Sequence, residues 1–431
     1  MALTGRAALV ALLAVPLVLL APGGGVGVLA VAGLLLMAAA VDLTLAGSAR
    51  GLVLTRSGAT TARLGEEAPV VLLVANPGRR RVRGLVRDAW PPTAAATPRR
   101  QRLDVPAGER RRMTTVLHPT RRGDRHAARV TVRSVGPLGL AARQGSHAVP
   151  WTVRVLPPFA SRRHLPERLA RLRRLDGLVL ARGRGQGTEF DSLRDYVAGD
   201  DVRSIDWRAS ARRDAVVVRT WRPERDRHVL VVLDTGRTAA ARVRDATRLD
   251  AAMDATLLLA ALASRAGDGV DLLAYDRRVR ASVTRTSRTD VLPRLVQALA
   301  TLEPALVEPD AQGLAAAVLA RARHRSLVVL FTGLDPAVVE EALLAVLTGL
   351  AARHVVLVAA VTDPEVERMA RRRGDPAAVY AAAAAERALG ERRRVAALLR
   401  RAGVEVVDAA PHRIAPAVAD AYLALKTAGR L

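Results

Sequence analysis

Cysteine is absent from the 431-residue chain, and lysine occurs once, at Lys426. The first absence excludes disulfides, thiolate metal sites and a cysteine nucleophile, and it fits a reducing compartment. Aromatic residues make up 3% of the chain, too few for the stacking platforms that hold single-stranded nucleic acid. The usual hydrolytic patterns are missing too: there is no G-x-S-x-G elbow, no H-E-x-x-H and no Cys/His cluster. Carboxylates are plentiful, but no spacing singles out a catalytic pair. A Mg-dependent hydrolase therefore stands only as an alternative without named catalytic residues.

What the chain does have is arginine, alanine, valine and leucine. Basic residues outnumber acidic ones 67 to 41, a formal net charge of +26. Such a field attracts nucleic acid or an anionic membrane surface. The same composition follows from a GC-rich coding bias. No specific nucleic acid is expected, and a membrane-associated nucleic-acid-binding protein is the second alternative. A mean hydropathy of +0.13, with half the residues hydrophobic, suits a soluble body carrying a short membrane part. The length allows about two or three domains.

The membrane part is expected at the start. Ala7 to Ala21 is uncharged, Pro22-Gly23-Gly24-Gly25 follows, and Val26 to Val41 forms a second apolar run ending at Asp42. Arg6 precedes the first run, Arg50 and Arg56 follow the second, and the PGGGVG turn carries no charge. Each run is near the short end for a spanning helix. Positive charge at both outer ends predicts a two-helix hairpin crossing the bilayer through residues 7–47, with both ends cytoplasmic. The competing reading is a cleaved signal peptide. A poorly formed cleavage site and the second apolar run disfavour it. Asp42 is expected near the inner interface, where an acid is tolerable, and no function is assigned to it.

From residue 49 to 157 the apolar pattern shortens and alternates. Segments 68–78, 83–90, 111–119, 128–134 and 151–157 read as strands divided by Pro, Gly and Asn turns. Short strands at this spacing predict an antiparallel β-sandwich. His118, His126 and His147 are too far apart to suggest a metal motif. Residues 161–175 then read as a basic helix, with Leu165, Leu169, Leu172 and Leu175 at helical spacing. A linker helix packed on its neighbour is preferred to one lying on a membrane.

The segment 158–227 ends in the most informative stretch. Gly183, Gly185 and Gly187 follow an apolar triplet, yet the spacing of a dinucleotide fingerprint fails at Thr188 and no Walker lysine is near. What stands out is dense alternating charge around scarce aromatics: Glu189, Phe190, Arg194, Tyr196, Asp200, Arg203, Asp206, Trp207 and Arg212, with Gly199 and Ser210 between them. This mix predicts Arg–carboxylate pairs around an aromatic anchor, a device for docking one segment on another or on a partner.

From 228 to 431 apolar runs alternate with Ala/Leu/Arg helices. Runs 228–234, 270–275, 327–332, 354–361 and 404–409 predict buried strands, and 245–266, 336–351 and 377–402 predict helices. That order implies an α/β, doubly wound parallel sheet. Its ligands would sit beyond the carboxyl ends of the strands, where Asp234-Thr235-Gly236-Arg237-Thr238 falls.

The stretch Glu189-Phe190, Leu193-Arg194-x-Tyr196, Gly199-Asp200, Arg203-x-Ile205-Asp206-Trp207, Ser210-Ala211-Arg212 resembles the signature of the bacterial family called domain of unknown function 58. The likeness extends over the two-helix start, the GPLGLAARQ segment at 136–144 and the α/β region. Gly136 stands where the family usually shows Asp, and Leu138 where it shows Phe, read as losses in a loop. The resemblance implies a transmembrane helical hairpin (1–48), a β-sandwich-like domain (49–157), a linker and signature segment (158–227) and a von Willebrand factor A-like domain (228–431). It also implies a MoxR-type AAA+ ATPase as partner. In A-type domains the loop after the first strand is D-x-S-x-S and binds Mg²⁺. Here Asp234 and Thr238 remain as metal-ligand candidates, Gly236 replaces the middle serine, and Thr332-Gly333 stands where a second acid usually follows, with Asp335 slightly later. Thr286 or Thr289 is a further candidate hydroxyl. The expectation is an incomplete site, no required cofactor, and a protein-interaction scaffold rather than an enzyme.

Overall fold

The computed structural model describes residues 2–20, 25–182, 189–198, 200–213, 215–222, 227–284, 287 and 289–431. They fall into two compact units, Met1–Pro158 and Phe159–Leu431.

The first unit opens with two apolar helices, α1 (Gly5–Leu20) and α2 (Gly25–Leu45). At 1.5 Å per residue, α2 is about 31 Å long, enough for a hydrocarbon core of about 30 Å. It is the one helix among the described residues long and apolar enough to cross a membrane. The shorter α1 contains Pro16.

Strands β1 (Val53–Gly58), β3 (Ala68–Ala75) and β6 (Arg110–Leu117) form one antiparallel sheet in the order β1-β3-β6. A second antiparallel sheet runs β9 (Ala141–His147), β8 (Val130–Val135), β4 (Val82–Asp88), β5 (Gln101–Val105). Alternate residues of the two sheets meet in one core of Leu72, Val74, Val82, Val86, Leu103 and Val132. A third, small sheet joins β2 (Thr61–Arg63), β10 (Thr152–Leu156) and β7 (Gly123–His126), with β2 parallel to β10. The three histidines stay apart: His118 lies by Glu67, His126 contacts the Thr152 hydroxyl, and His147 contacts the Ala49 carbonyl.

Asp42 corrects the sequence reading. It is fully buried at the end of α2 and accepts the backbone N–H groups of Leu138 (2.7 Å), Leu140 (2.7 Å) and Ala141 (2.8 Å). The carboxylate thus ties the helix to the GPLGL turn. A side chain at Gly136 would run into Asp42, so glycine there is a steric requirement of this tie, not a loss.

The second unit is built on a six-stranded sheet. Its order is β15 (Val279–Val283), β14 (Gly269–Tyr275), β13 (His228–Asp234), β16 (Leu327–Phe331), β17 (Val355–Val361), β18 (Glu405–Ala409). All neighbours are parallel except β15, which turns back antiparallel on β14. Strands covered on both faces must be apolar throughout, and six of the seven β13 residues are buried. Among the helices are α3 (Leu165–Arg182), α5 (Arg248–Arg265), α6 (Val291–Ala300), α7 (Ala311–Arg321), α8 (Leu344–Ala351), α9 (Pro364–Ala370), α10 (Pro376–Arg401) and α11 (Pro411–Thr427). Local chemistry sets several starts. Thr247 and Asp250 make a capping box for α5, while Asp363-Pro364 and Asp375-Pro376 place an accepting carboxylate before a proline already held at helical φ.

The only lysine is spent inside this unit. Lys426 Nζ lies 2.8 and 2.9 Å from the two oxygens of buried Asp268, which also accepts the Tyr422 hydroxyl at 2.5 Å. Replacing Lys426 by Met leaves a buried carboxylate without its counter-ion, at an expected cost of about 3–5 kcal/mol in denaturant unfolding. The double variant Asp268→Leu, Lys426→Met should recover most of that loss; equal stabilities of the wild type and Lys426→Met would refute the tie.

Candidate functional site

Two places carry the polar chemistry singled out above, and each is built differently. The signature segment is a β-hairpin with a helical excursion. Strand β11 (Glu189–Asp195) pairs antiparallel with β12 (Val217–Arg222), setting Phe190 opposite Trp221 and Arg194 opposite Val218. Between them lie a 3-10 turn (Val202–Ser204) and the short helix α4 (Trp207–Arg213). Gly199, like Gly183, Gly185 and Gly187, lies outside the described residues. For Glu189 and Phe190 the description is of the backbone.

The charged residues tie this excursion together. Arg194 donates to both oxygens of Asp200, at 2.8 and 2.5 Å, and Asp200 also accepts the Val197 N–H. Asp206 caps α4 by accepting from Arg208 N and Ala209 N, and its other oxygen takes Arg219 Nε at 2.9 Å. The Ser210 hydroxyl donates to the Asp206 carbonyl and accepts the Val217 N–H, fastening α4 to β12. Asp201 caps the 3-10 turn through Arg203 N. The Arg194 hydrogen bond holds Asp200 below its ordinary value, and the Arg219 hydrogen bond does the same for Asp206.

Tyr196, Arg203, Trp207 and Arg212 of the signature face water. Trp207 is 68% exposed and Tyr196 38%, and Val197 and Val202 beside them are exposed as well. Arg203 and Arg212 are also exposed. Among the described residues, no hydrogen bond or ion pair joins this hairpin to the Asp234 loop.

That loop follows β13 at the carboxyl end of the sheet. Asp234 is 4% exposed and fully engaged. One oxygen accepts Gly236 N at 2.7 Å; the other accepts the hydroxyls of Thr238 and Thr332, each at 2.7 Å. Thr332, just past the end of β16, stands where the resemblance puts a second acid, and its hydroxyl takes part where that acid is missing. Its place beside Asp234 follows from the direct parallel pairing of β13 with β16. Asp335 faces its own helix start, accepting from Ala337 N. Thr289 contacts the Ser287 hydroxyl at 3.1 Å, and Thr286 lies outside the described residues.

Gly236 has a spatial cause. A Cβ there would stand 2.8 Å from the Val307 carbonyl oxygen, because Arg237 N donates to that carbonyl and Ala305 N to the Thr235 carbonyl. The packed 305–307 segment therefore excludes the middle hydroxyl of a D-x-S-x-S loop.

A divalent ion at this loop would need a fuller set of oxygen donors than surrounds Asp234. Those present comprise one carboxylate and two hydroxyls, and no group of three His, Cys, Asp or Glu suited to a metal occurs among the described residues. A small recess of about 20 Å³ beside them is also lined by Arg248. Burial pushes the Arg248 guanidinium down in pKa, Arg392 adds to that, and Asp363, Asp408 and Asp335 oppose it. Its Nε has no hydrogen-bond partner. Magnesium demands near-octahedral oxygen coordination, and a guanidinium lining the same recess opposes a second cation. The residues do not fit a complete Mg²⁺ site.

Residues 192–377 match the model of the family described as Protein of unknown function DUF58. That match supports the family for this part of the chain. No curated protein matches the chain. Among solved structures, the CARDB domain of the PF1109 protein from Pyrococcus furiosus, in complex with di-metal ions, is 16% identical. That alignment covers 26% of this chain and 92% of that one, at a TM-score of 0.19. A beta-glucosidase from Listeria innocua in complex with glucose is 15% identical, over 24% of this chain and 16% of that one, at a TM-score of 0.16. At these scores neither likeness bears on fold or function.

Two outcomes are expected. Gly236→Ser should destabilise the protein by about 1–3 kcal/mol through overpacking against Val307, read as a lowered unfolding midpoint; an unchanged midpoint would count against the steric account. Asp200 and Asp206 have lowered folded pKa values, so their contribution is complete above the unfolded value of 3.8 and is lost as pH falls through the lowered folded values. Trp fluorescence of the hairpin should therefore hold steady down to about pH 4 and change only in more acidic solution.

Proposed function

We propose that the chain is a membrane-anchored protein-interaction scaffold, with the signature hairpin as its docking element. One observation carries this reading. Asp200, Asp201 and Asp206 are consumed in holding the hairpin's own shape, while Tyr196, Val197, Val202 and above all Trp207 are left in water. An exposed aromatic on a fixed frame is what interface anchors look like. MoxR-type AAA+ ATPases are the partner class that the family resemblance suggests.

The strand order of the second unit, with a parallel sheet, one antiparallel edge strand and a D-x-G-x-T loop at the carboxyl end of a central strand, supports a von Willebrand factor A-like reading. Asp234 then serves to fasten its loop through Thr238 and Thr332, and adhesion proceeds without metal. For the anchor, the uncharged PGGGVG turn and the flanking Arg6, Arg50 and Arg56 support two crossings with both ends cytoplasmic.

Affinity purification from membranes tests the reading. Trp207→Ala should reduce recovery of the partner at least about tenfold, in the range of interface hot spots, and Asp206→Ala should reduce it by dismantling the frame. Removal of Mg²⁺ by chelator should leave recovery unchanged. Full recovery in both variants would sink the docking role. Loss on chelation would instead return metal to the Asp234 loop.

A further inference from the structure

The rim of the sheet opposite the Asp234 loop holds a groove that the scaffold reading does not use. It lies at the amino ends of β13, β14, β16 and β17 and has a volume of about 980 Å³, within the range of pockets that take small organic ligands. Five guanidinium groups line it, those of Arg227, Arg321, Arg323, Arg325 and Arg430, against two side-chain carboxylates, Asp268 and Asp271, with Leu431 also at its edge.

Both carboxylates are already spent within the protein. Asp268 is neutralised by Lys426. Asp271 lies 3.1 Å from His228 Nε2, and the other ring nitrogen of His228 is 3.0 Å from the Ser326 hydroxyl. Most of the cations are not spent in this way. Arg430 reaches Glu405, and Arg321 donates to a helix carbonyl of α7 while its buried Nε has no hydrogen-bond partner. Arg323 and Arg325 are exposed on the run between α7 and β16, and no ion pair among the described residues includes either of them. The chain's general excess of arginine does not account for this arrangement, because the groove is concave and its acids are internally paired.

We infer that this groove binds a phosphate-bearing ligand, with the arginines of the 321–325 run holding the phosphate and the strand ends receiving its organic body. Guanidinium forks match phosphate oxygens in geometry and charge. Apolar Val229, Val270, Leu327 and Val355 line the same space, so a bare ion would leave part of it unfilled. No Phe, Tyr or Trp is among the described lining residues, so the broad platforms that usually hold a nucleobase are missing there. The ligand is a soluble phosphate ester or the headgroup of a phospholipid, and the same arginines serve either.

The test uses the full chain in nonionic detergent, with two probes measured by titration calorimetry. Inorganic pyrophosphate represents the soluble source, and phosphatidylglycerol in mixed micelles, against phosphatidylcholine, represents the lipid. Saturable binding of either probe is expected. It should weaken at least tenfold in the double variant Arg323→Gln, Arg325→Gln and stay unchanged in Arg99→Gln, Arg100→Gln, which removes the same charge from the exposed 99–100 turn of the first unit. The probe that binds identifies the source. Far-UV circular dichroism and the melting midpoint check that both variants fold, and Arg323→Ala with Arg325→Ala repeats the test if the first pair does not. Absence of binding by both probes would overturn the proposal. So would equal weakening in the two double variants, which marks a diffuse field, or binding of a DNA duplex with neither probe bound.

Discussion

A parallel sheet covered on both faces leaves no place for polar chemistry except its two rims, and this constraint organises the second unit. Along β13, β16 and β17 the side chains are buried in nearly unbroken apolar runs. An unpaired polar group among them would cost several kcal/mol. Charged and hydroxyl groups therefore gather where the strands end. At the carboxyl rim these are Asp234, Thr238, Thr332 and Asp408; at the amino rim they are His228, Asp268, Asp271 and Ser326. The rims differ in what is left over after pairing. The carboxyl rim is nearly self-satisfied, with Asp234 holding three donors and Asp408 held by Arg392 and Thr362. The amino rim keeps surplus guanidinium.

A repeated device elsewhere in the chain is a carboxylate that gathers backbone N–H groups. Asp42 takes three from the 138–141 turn, and Asp206 takes two at the start of α4. Hydrogen bonds to an ionised acceptor are about twice as strong as neutral ones. A turn held this way keeps its shape without a large core beneath it. That suits the signature hairpin, whose apolar residues Tyr196, Val197 and Trp207 are exposed.

The sequence shows some of this plainly and hides the rest for physical reasons. Four of the five parallel strands, β13, β14, β16 and β17, are legible because burial on both faces writes them as apolar runs, and the part-buried edge strand β18 keeps a shorter one. Edge strand β15, VRASV, is mostly exposed and carries no such run. Strands β5 (QRLDV) and β9 (AARQGSH) are similarly polar and carry no apolar run that marks them in the sequence. The charge alternation at 189–212 announces a network, but the pairing of Arg194 with Asp200, or of Arg219 with Asp206, depends on the register of β11 with β12. Thr332 joins Asp234 across 98 positions, a distance no local pattern spans. Asp42 reads as an acid tolerated at an interface until the 136–141 turn is seen folded over it.

The buried placement of Lys426 has a practical side. Every other positive side chain in the protein is a guanidinium or an imidazole, and this one ammonium is 9% exposed against Asp268. Amine-reactive labels, cross-linkers and acylating modifications therefore find almost nothing on the folded surface apart from a terminal amine. Acylation of Lys426 must wait for the seam between α5 and α11 to part, so its rate reports local opening in the native ensemble. A reagent that is ordinarily a surface label becomes, for this protein, a clock for the interior.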